Sequence, residues 1–104
     1  MSYSEYVPTW ERPVISRLIK ASLGRGLTIS VNDTEEYVLK RSSSLRAVQG
    51  ALGGTGEDVL VLRRNGDHAG SFYLIYGNGS ETDPAIVIAD YDANDLCEEI
   101  YREA

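Results

Sequence analysis

Residues 58–76 read DVLVLRRNGDHAGSFYLIY, and this stretch decides the fold. An apolar run at 59–62 and a second at 72–76 flank the dipeptide Asn65-Gly66. Both residues of that dipeptide tolerate the positive φ that two-residue hairpin turns require. The stretch therefore predicts two antiparallel strands, Asp58–Arg64 and Ser71–Tyr76, joined by a tight turn.

Three further strands are predicted, two before this hairpin and one after it. Apolar and polar residues alternate in Leu27–Val31 and in Glu36–Arg41, with turn-forming residues 32–34 between the two runs. After the loop that ends at Pro84, the run Ala85–Ala89 predicts a fifth strand. The strand connections are too short for parallel crossovers, so we expect an antiparallel sheet.

Three segments place apolar residues at helical spacing. The first starts at Pro13, which suits the first turn of a helix, and the second follows the serines 42–44, which can cap it. The third is capped by Asp92 or Asn94. The predicted class is α+β, with a five-stranded antiparallel sheet, helices packed on one face and the order α-β-β-α-β-β-β-α. The expected core comprises Ile15, Leu18, Ile19, Leu45, Val48, Val59, Val61, Phe72, Leu74, Ile86, Ile88, Leu96 and Ile100.

The chain of 104 residues has the length of one domain. Its first part, residues 1–11, is predicted to be an aromatic N-terminal arm that contains Tyr3, Tyr6 and Trp10. The arm either packs on the domain as a flap or contacts a partner. Residues 12–104 are predicted to form the single α+β domain.

Composition excludes several function classes. With 42% hydrophobic and 25% charged residues, the chain has ordinary globular composition, and its length leaves little room for a deep cofactor cleft. No apolar run approaches the ~20 residues of a membrane span, and the N-terminus lacks the pattern of a signal peptide. The single cysteine, Cys97, excludes an internal disulfide. We therefore expect a soluble cytoplasmic protein with no membrane partner.

Charge is divided unevenly along the chain, whose net charge is −6. Residues 1–50 carry seven Lys or Arg against five acids, a net of +2, whereas residues 51–104 carry three Arg against eleven acids, a net of −8. Such a chain is repelled by nucleic acid and attracted to basic protein surfaces. Consecutive strand residues point to opposite faces, so Lys40-Arg41 and Arg63-Arg64 predict no concentrated basic patch. Direct nucleic-acid binding is not expected.

The acidic C-terminal segment is the candidate partner-binding site. Its carboxylates can stand in for phosphates toward Lys and Arg that grip a nucleic-acid backbone, and its tyrosines can supply apolar contact. The alternative is a solvated acidic face, to which an i, i+4 pair between Glu98 and Arg102 would belong. The candidate residues are Asp90, Tyr91, Asp92, Asp95, Glu98, Glu99 and Tyr101.

Catalytic and metal-binding arrangements are not expected. His68, the only histidine, lies beside the Asn65-Gly66 turn, and Cys97 lies on the apolar face of a predicted helix. The segment from Asp90 begins like a calcium loop, but it has Asp95 where that motif requires Gly and Tyr101 where it requires Glu. We expect no enzyme, no cofactor and no metal site.

Resemblance to a known group is carried by four segments: SVNDTEEYVLKRS at 30–42, GEDVL at 56–60, GSFYLIYGN at 70–78 and IADYDAN at 88–94. Together they resemble small uncharacterised proteins that bacteriophages and prophages encode. The resemblance implies a phage accessory protein, similar in character to anti-CRISPR and other counter-defence inhibitors, in the cytoplasm of a bacterial host cell. It assigns no site residue.

Two function classes follow. One is an inhibitor that docks on a basic surface of a protein or nucleoprotein effector, with nucleic-acid mimicry as its mode. The other is a non-catalytic structural or regulatory interaction module, including a homodimer formed through the aromatic arm.

Overall fold

The computed structural model describes residues 3–104, so Met1 and Ser2 of the predicted arm lie outside the described residues. The chain forms three α-helices and five strands, and a short 3-10 turn at Pro84–Val87 precedes the last strand. The elements are α1 (Arg12–Leu23), β1 (Thr28–Asn32), β2 (Tyr37–Ser42), α2 (Leu45–Ala51), β3 (Glu57–Arg64), β4 (Asp67–Ile75), β5 (Ile88–Tyr91) and α3 (Asp95–Glu103).

The five strands form one antiparallel sheet in the order β2-β1-β3-β4-β5. At its centre is the predicted β3–β4 hairpin, whose turn residues Asn65 and Gly66 have φ of 53° and 86°. The α+β class and the order of elements predicted from the sequence are confirmed. The last strand starts three residues later than predicted, at Ile88, because Pro84–Val87 winds into the 3-10 turn.

The helices pack on one face of the sheet and bury its apolar residues. Helix α1 contributes Val14, Ile15, Leu18 and Ile19 to this core. The buried residues that the strands contribute are Ile29, Val31, Leu60, Leu62, Phe72, Leu74 and Ile88. No helix within residues 3–104 has the length and apolarity to cross a bilayer.

Three residues of the predicted core lie elsewhere. Val61 is buried but faces away from the helices, because its cross-strand partners Ser30 and Ser71 lie on the opposite face of the sheet. Ile86 is 46% exposed, because the 3-10 turn directs Val87 and Ile88 inward in its place. Val59 is only half-buried, since its cross-strand partners Asn32 and Tyr73 place it on the face opposite the helices. We call this opposite face the open face.

Residues 3–11 pack on the domain. Val7 is fully buried, and the hydroxyl of Tyr3 lies 2.7 Å from Ser16 Oγ on α1. The carboxylate of Glu11 is also buried and accepts hydrogen bonds from the loop that follows β4. Of the two alternatives for the arm, residues 3–11 therefore adopt the flap that packs on the domain. The side chains of Tyr6 and Trp10 nevertheless remain 67% and 39% exposed.

Candidate functional site

The candidate carboxylates lie on β5, on the turn after it and on α3; we call Asp90, Asp92, Asp95, Glu98 and Glu99 the acidic surface. Asp90 is exposed on the open face, where it pairs across strands with Tyr73. Helix α3 starts after Asn94, whose side chain caps it by accepting from the Cys97 amide at 2.8 Å.

The orientation of α3 follows from its buried side. Cys97 and Ile100 face the core, so Asp95 and Glu99, which are one turn apart, both remain exposed. Asp95 stands in the first turn, where the helix dipole favours a negative charge. The packing of α3 on the core therefore leaves these two carboxylates on its exposed side.

The acidic surface is only partly neutralised within residues 3–104. Arg25, at the end of α1, pairs with Glu103 and lies 3.9 Å from Glu99. The expected pair between Glu98 and Arg102 is not formed in this part of the chain. Glu98 lies instead beside the Tyr91 hydroxyl. Arg25 also lowers the pKa of the Glu103 carboxyl by its hydrogen bond.

The two candidate tyrosines make intramolecular contacts. The Tyr91 ring stacks on Phe72 at 5.5 Å between centroids and on Tyr101 at 4.8 Å. Desolvation in this stack, followed by the charge of Glu98, raises the pKa of the Tyr91 hydroxyl. Both tyrosines are half-buried, so part of each side chain stays accessible to a partner.

Asp92 joins β5 to two polar residues of β4. Its Oδ2 lies 3.0 Å from His68 Nε2, and its Oδ1 accepts from Ser71 Oγ at 2.9 Å. These hydrogen bonds, that of His68 first, lower the pKa of the Asp92 carboxyl. Because the carboxylate stands between the imidazole and the hydroxyl, this geometry does not place the histidine as a base on Ser71.

Cys97 is fully buried under the sheet. Desolvation, with a smaller effect from the Asp92 charge, raises the pKa of its thiol. A buried thiol with a raised pKa is a poor nucleophile. Its Sγ packs against Gly70, where a Cβ would overlap it.

A basic pocket, which the sequence analysis missed, lies on the open face at the β2 end of the sheet. It has a volume of about 200 Å³ and is lined by Ser30, Tyr37, Lys40, Arg41 and Arg63. The prediction that Lys40 and Arg41 form no concentrated patch is wrong, whereas Arg63 and Arg64 separate as predicted and only Arg63 lines the pocket. No local sequence pattern indicates this pocket, because its formation depends on how β2 pairs with β1.

The cause is a β-bulge in β2. Ile29 pairs with Ser42 and Val31 with Leu39, so two residues of β2, Lys40 and Arg41, stand opposite the single residue Ser30. A bulge breaks the alternation of side chains between faces, and both cations therefore reach the same side. Arg41 has a φ of 49°, and its amide donates to Ser30 Oγ at 2.9 Å.

The open face consequently carries opposite charges at its two edges. One row runs from Asp92 beside β4 through Ser71, Val61 and Ser30 to the bulge in β2. With strands about 4.8 Å apart, the two ends of the row are about 19 Å apart. The charge division along the sequence thus becomes a division across one surface.

Comparison of the chain with protein-family models, curated proteins and solved structures finds no match. The fold and the site therefore define the chain only as a small α+β domain with an acidic surface at one end of its sheet and a basic pocket at the other.

Proposed function

We propose that this chain is a small acidic inhibitor that docks its acidic surface on a basic surface of a nucleic-acid-handling defence effector. One observation carries the proposal: among residues 3–104, Asp90, Asp95 and Glu98 have no Lys or Arg within 4.0 Å. Carboxylates without a cation of their own present a negative field that steers and orients a basic partner. The effector's Lys and Arg would meet these carboxylates in place of phosphates.

The surroundings of the acidic surface support docking over catalysis. Asp92 is held by His68 and Ser71, and Cys97 is buried with a raised thiol pKa. Tyr91 and Tyr101 hold β5 against α3 by stacking, which gives the surface a fixed shape before binding. The proposal also follows from the expected resemblance of four sequence segments to small bacteriophage-encoded proteins.

The test is a charge reversal with a matched control. The double variant Asp90→Lys/Asp95→Lys changes two exposed carboxylates of the acidic surface, and Glu35→Lys/Glu36→Lys makes the same charge change in the exposed β1–β2 turn. Capture of purified CRISPR effector complexes is measured at low and moderate salt, with and without competing nucleic acid. We expect the Asp90→Lys/Asp95→Lys variant to lose capture of the effector. The Glu35→Lys/Glu36→Lys control should still be captured, and added nucleic acid or salt should weaken its capture. Equal capture by both variants would contradict the proposal.

A second candidate is an interaction module that pairs through the N-terminal segment. It is favoured by the 67% exposure of Tyr6, an aromatic side chain on a segment whose backbone is fixed. Tyr6→Ser should then turn a dimer into a monomer in sedimentation experiments, with little dependence on salt. A monomeric parent chain would remove this candidate and leave the first in place.

A further inference from the structure

The basic pocket brings together three cations from two strands that are not joined to each other directly along the chain. Lys40 and Arg41 come from the bulge in β2, and Arg63 comes from β3, two strands away in the sheet order. Within residues 3–104 no carboxylate lies within 4.0 Å of any of the three. Three positive charges around one pocket repel each other, and an anion bound between them would remove that repulsion.

The backbone at Arg41 adds a second observation. A φ of 49° lies in the left-handed region, which is sterically unfavourable for an L-residue other than Gly, Asn or Asp. Glycine is the usual residue at such a bulge position. In this chain an arginine occupies a position whose backbone conformation favours glycine.

Polar and aromatic groups complete the pocket. Ser30 is buried, and since its Oγ accepts the Arg41 amide, its own proton can be donated into the pocket. Tyr37 is 41% exposed and lines the same space. The site therefore has guanidinium donors, an ammonium, a hydroxyl donor and one apolar ring face.

We propose that this pocket binds the phosphate group of a small phosphomonoester, with Tyr37 packed against the organic part of the ligand. Guanidinium groups match phosphate oxygens with paired N–H donors, and Lys40 adds a point charge. A volume of about 200 Å³ is sufficient for a phosphate and a small attached group. This inference is independent of the acidic surface and of its partner.

The carboxylates of the open face would repel a polyanion that extends beyond the pocket. A nucleic-acid strand that continued from the pocket across the open face would meet Asp90 and Asp92 at the β5 edge. Like charges at these positions repel successive phosphates. One phosphate therefore fits the surface better than a chain of them.

Binding is tested by titrating the protein with ribose 5-phosphate, ribose, inorganic phosphate and a single-stranded oligonucleotide, followed by amide chemical shifts. We expect ribose 5-phosphate to shift the amides of Ser30, Arg41 and Arg63 and to bind more tightly than inorganic phosphate, and ribose to cause no shifts. Absence of shifts with ribose 5-phosphate would overturn the proposal. Equal affinity for inorganic phosphate would also overturn it, because the organic part would then make no contact. Tighter binding of the oligonucleotide, with a salt dependence of several phosphates, would assign the pocket to nucleic acid instead.

Three variants separate binding from folding. Arg41→Gly removes the guanidinium but relieves the left-handed strain, so it should melt no lower than the parent while binding roughly tenfold more weakly. Arg63→Met should weaken binding to a similar degree. Arg64→Met removes a neighbouring exposed charge that does not line the pocket, and it should bind like the parent. Equal affinity of Arg41→Gly and Arg64→Met would contradict the proposal.

Discussion

The buried carboxylate of Glu11 accepts a hydrogen bond from the backbone amide of Gly79 at 2.8 Å, across 68 residues of chain. It also accepts from the Gly77 amide at 2.9 Å, and the indole of Trp10 donates to the Gly79 carbonyl. These bonds fix the loop after β4 to the start of α1. They make the N-terminal segment part of the folded domain.

Replacement of Glu11 should therefore destabilise the protein and open this loop. In Glu11→Gln the side-chain NH₂ group replaces one of the accepting oxygens, so that a donor faces a backbone donor. We expect the free energy of unfolding to fall by about 2–4 kcal/mol. Urea denaturation measures this cost, and amide exchange should show faster exchange at Gly77 and Gly79. The control is Glu5→Gln on the exposed part of the same segment. If both variants unfolded like the parent, the Glu11 carboxylate would not stabilise the loop.

The close packing of Gly70 on Cys97 predicts a non-additive pair of substitutions. A Cβ at position 70 would overlap the Cys97 Sγ, so Gly70→Ala should cost about 1–3 kcal/mol through overpacking. Removing the sulfur in Gly70→Ala/Cys97→Ala should recover part of that loss, since the new methyl group then has space. Thermal unfolding of the two single variants and the double variant measures the coupling. Additive losses would show that the two positions do not touch.

Asp58 should make the protein less stable as the pH rises. Its Oδ2 accepts from the Tyr76 hydroxyl at 2.6 Å and the Gly53 amide at 2.9 Å, while its Oδ1 has no partner within residues 3–104. Desolvation raises the pKa of this carboxyl. The folded state then holds the proton more tightly, so stability is highest below the unfolded pKa of about 3.9 and falls as the pH rises through the folded pKa.

The variant Asp58→Asn removes this titration. The free energy of unfolding of the variant minus that of the parent should increase as the pH is raised from about 4 to neutrality. Urea denaturation at a series of pH values measures this difference. A difference that stays constant with pH would exclude Asp58 as the source of the slope.

Asp92 should give the opposite slope. The hydrogen bonds from His68 and Ser71 lower the pKa of its carboxyl. Its contribution to stability is therefore present above the unfolded pKa of about 3.9 and is lost as the pH falls through the lower folded value. Asp92→Asn should be less stable than the parent at neutral pH, and the difference should shrink in acid. If the difference in stability between Asp92→Asn and the parent grew in acid, the pKa of the Asp92 carboxyl would not be lowered by folding.

Local patterns in the sequence predicted most of the fold. The Asn65-Gly66 turn set the central hairpin, and the spacing of Ile15, Leu18 and Ile19 set the inner side of α1. Two boundaries were predicted wrongly. Strand β4 begins at Asp67, four residues before the predicted Ser71. Strand β5 begins late because the four residues Pro84–Val87 satisfy a 3-10 turn as well as a strand. Periodicity does not distinguish the two over so short a run.

The sequence by itself determined the fold class, the order of elements and the exposure of Asp95 and Glu99, since hydrophobic periodicity and turn chemistry act over a few neighbouring residues. Only the tertiary structure decided that Lys40, Arg41 and Arg63 share one pocket and that Glu11 binds Gly79. The pocket depends on a bulge that forms when β2 pairs with β1, and the buried carboxylate needs backbone donors from a distant loop. Such arrangements depend on contacts between segments far apart in the chain, so no local pattern of residues encodes them.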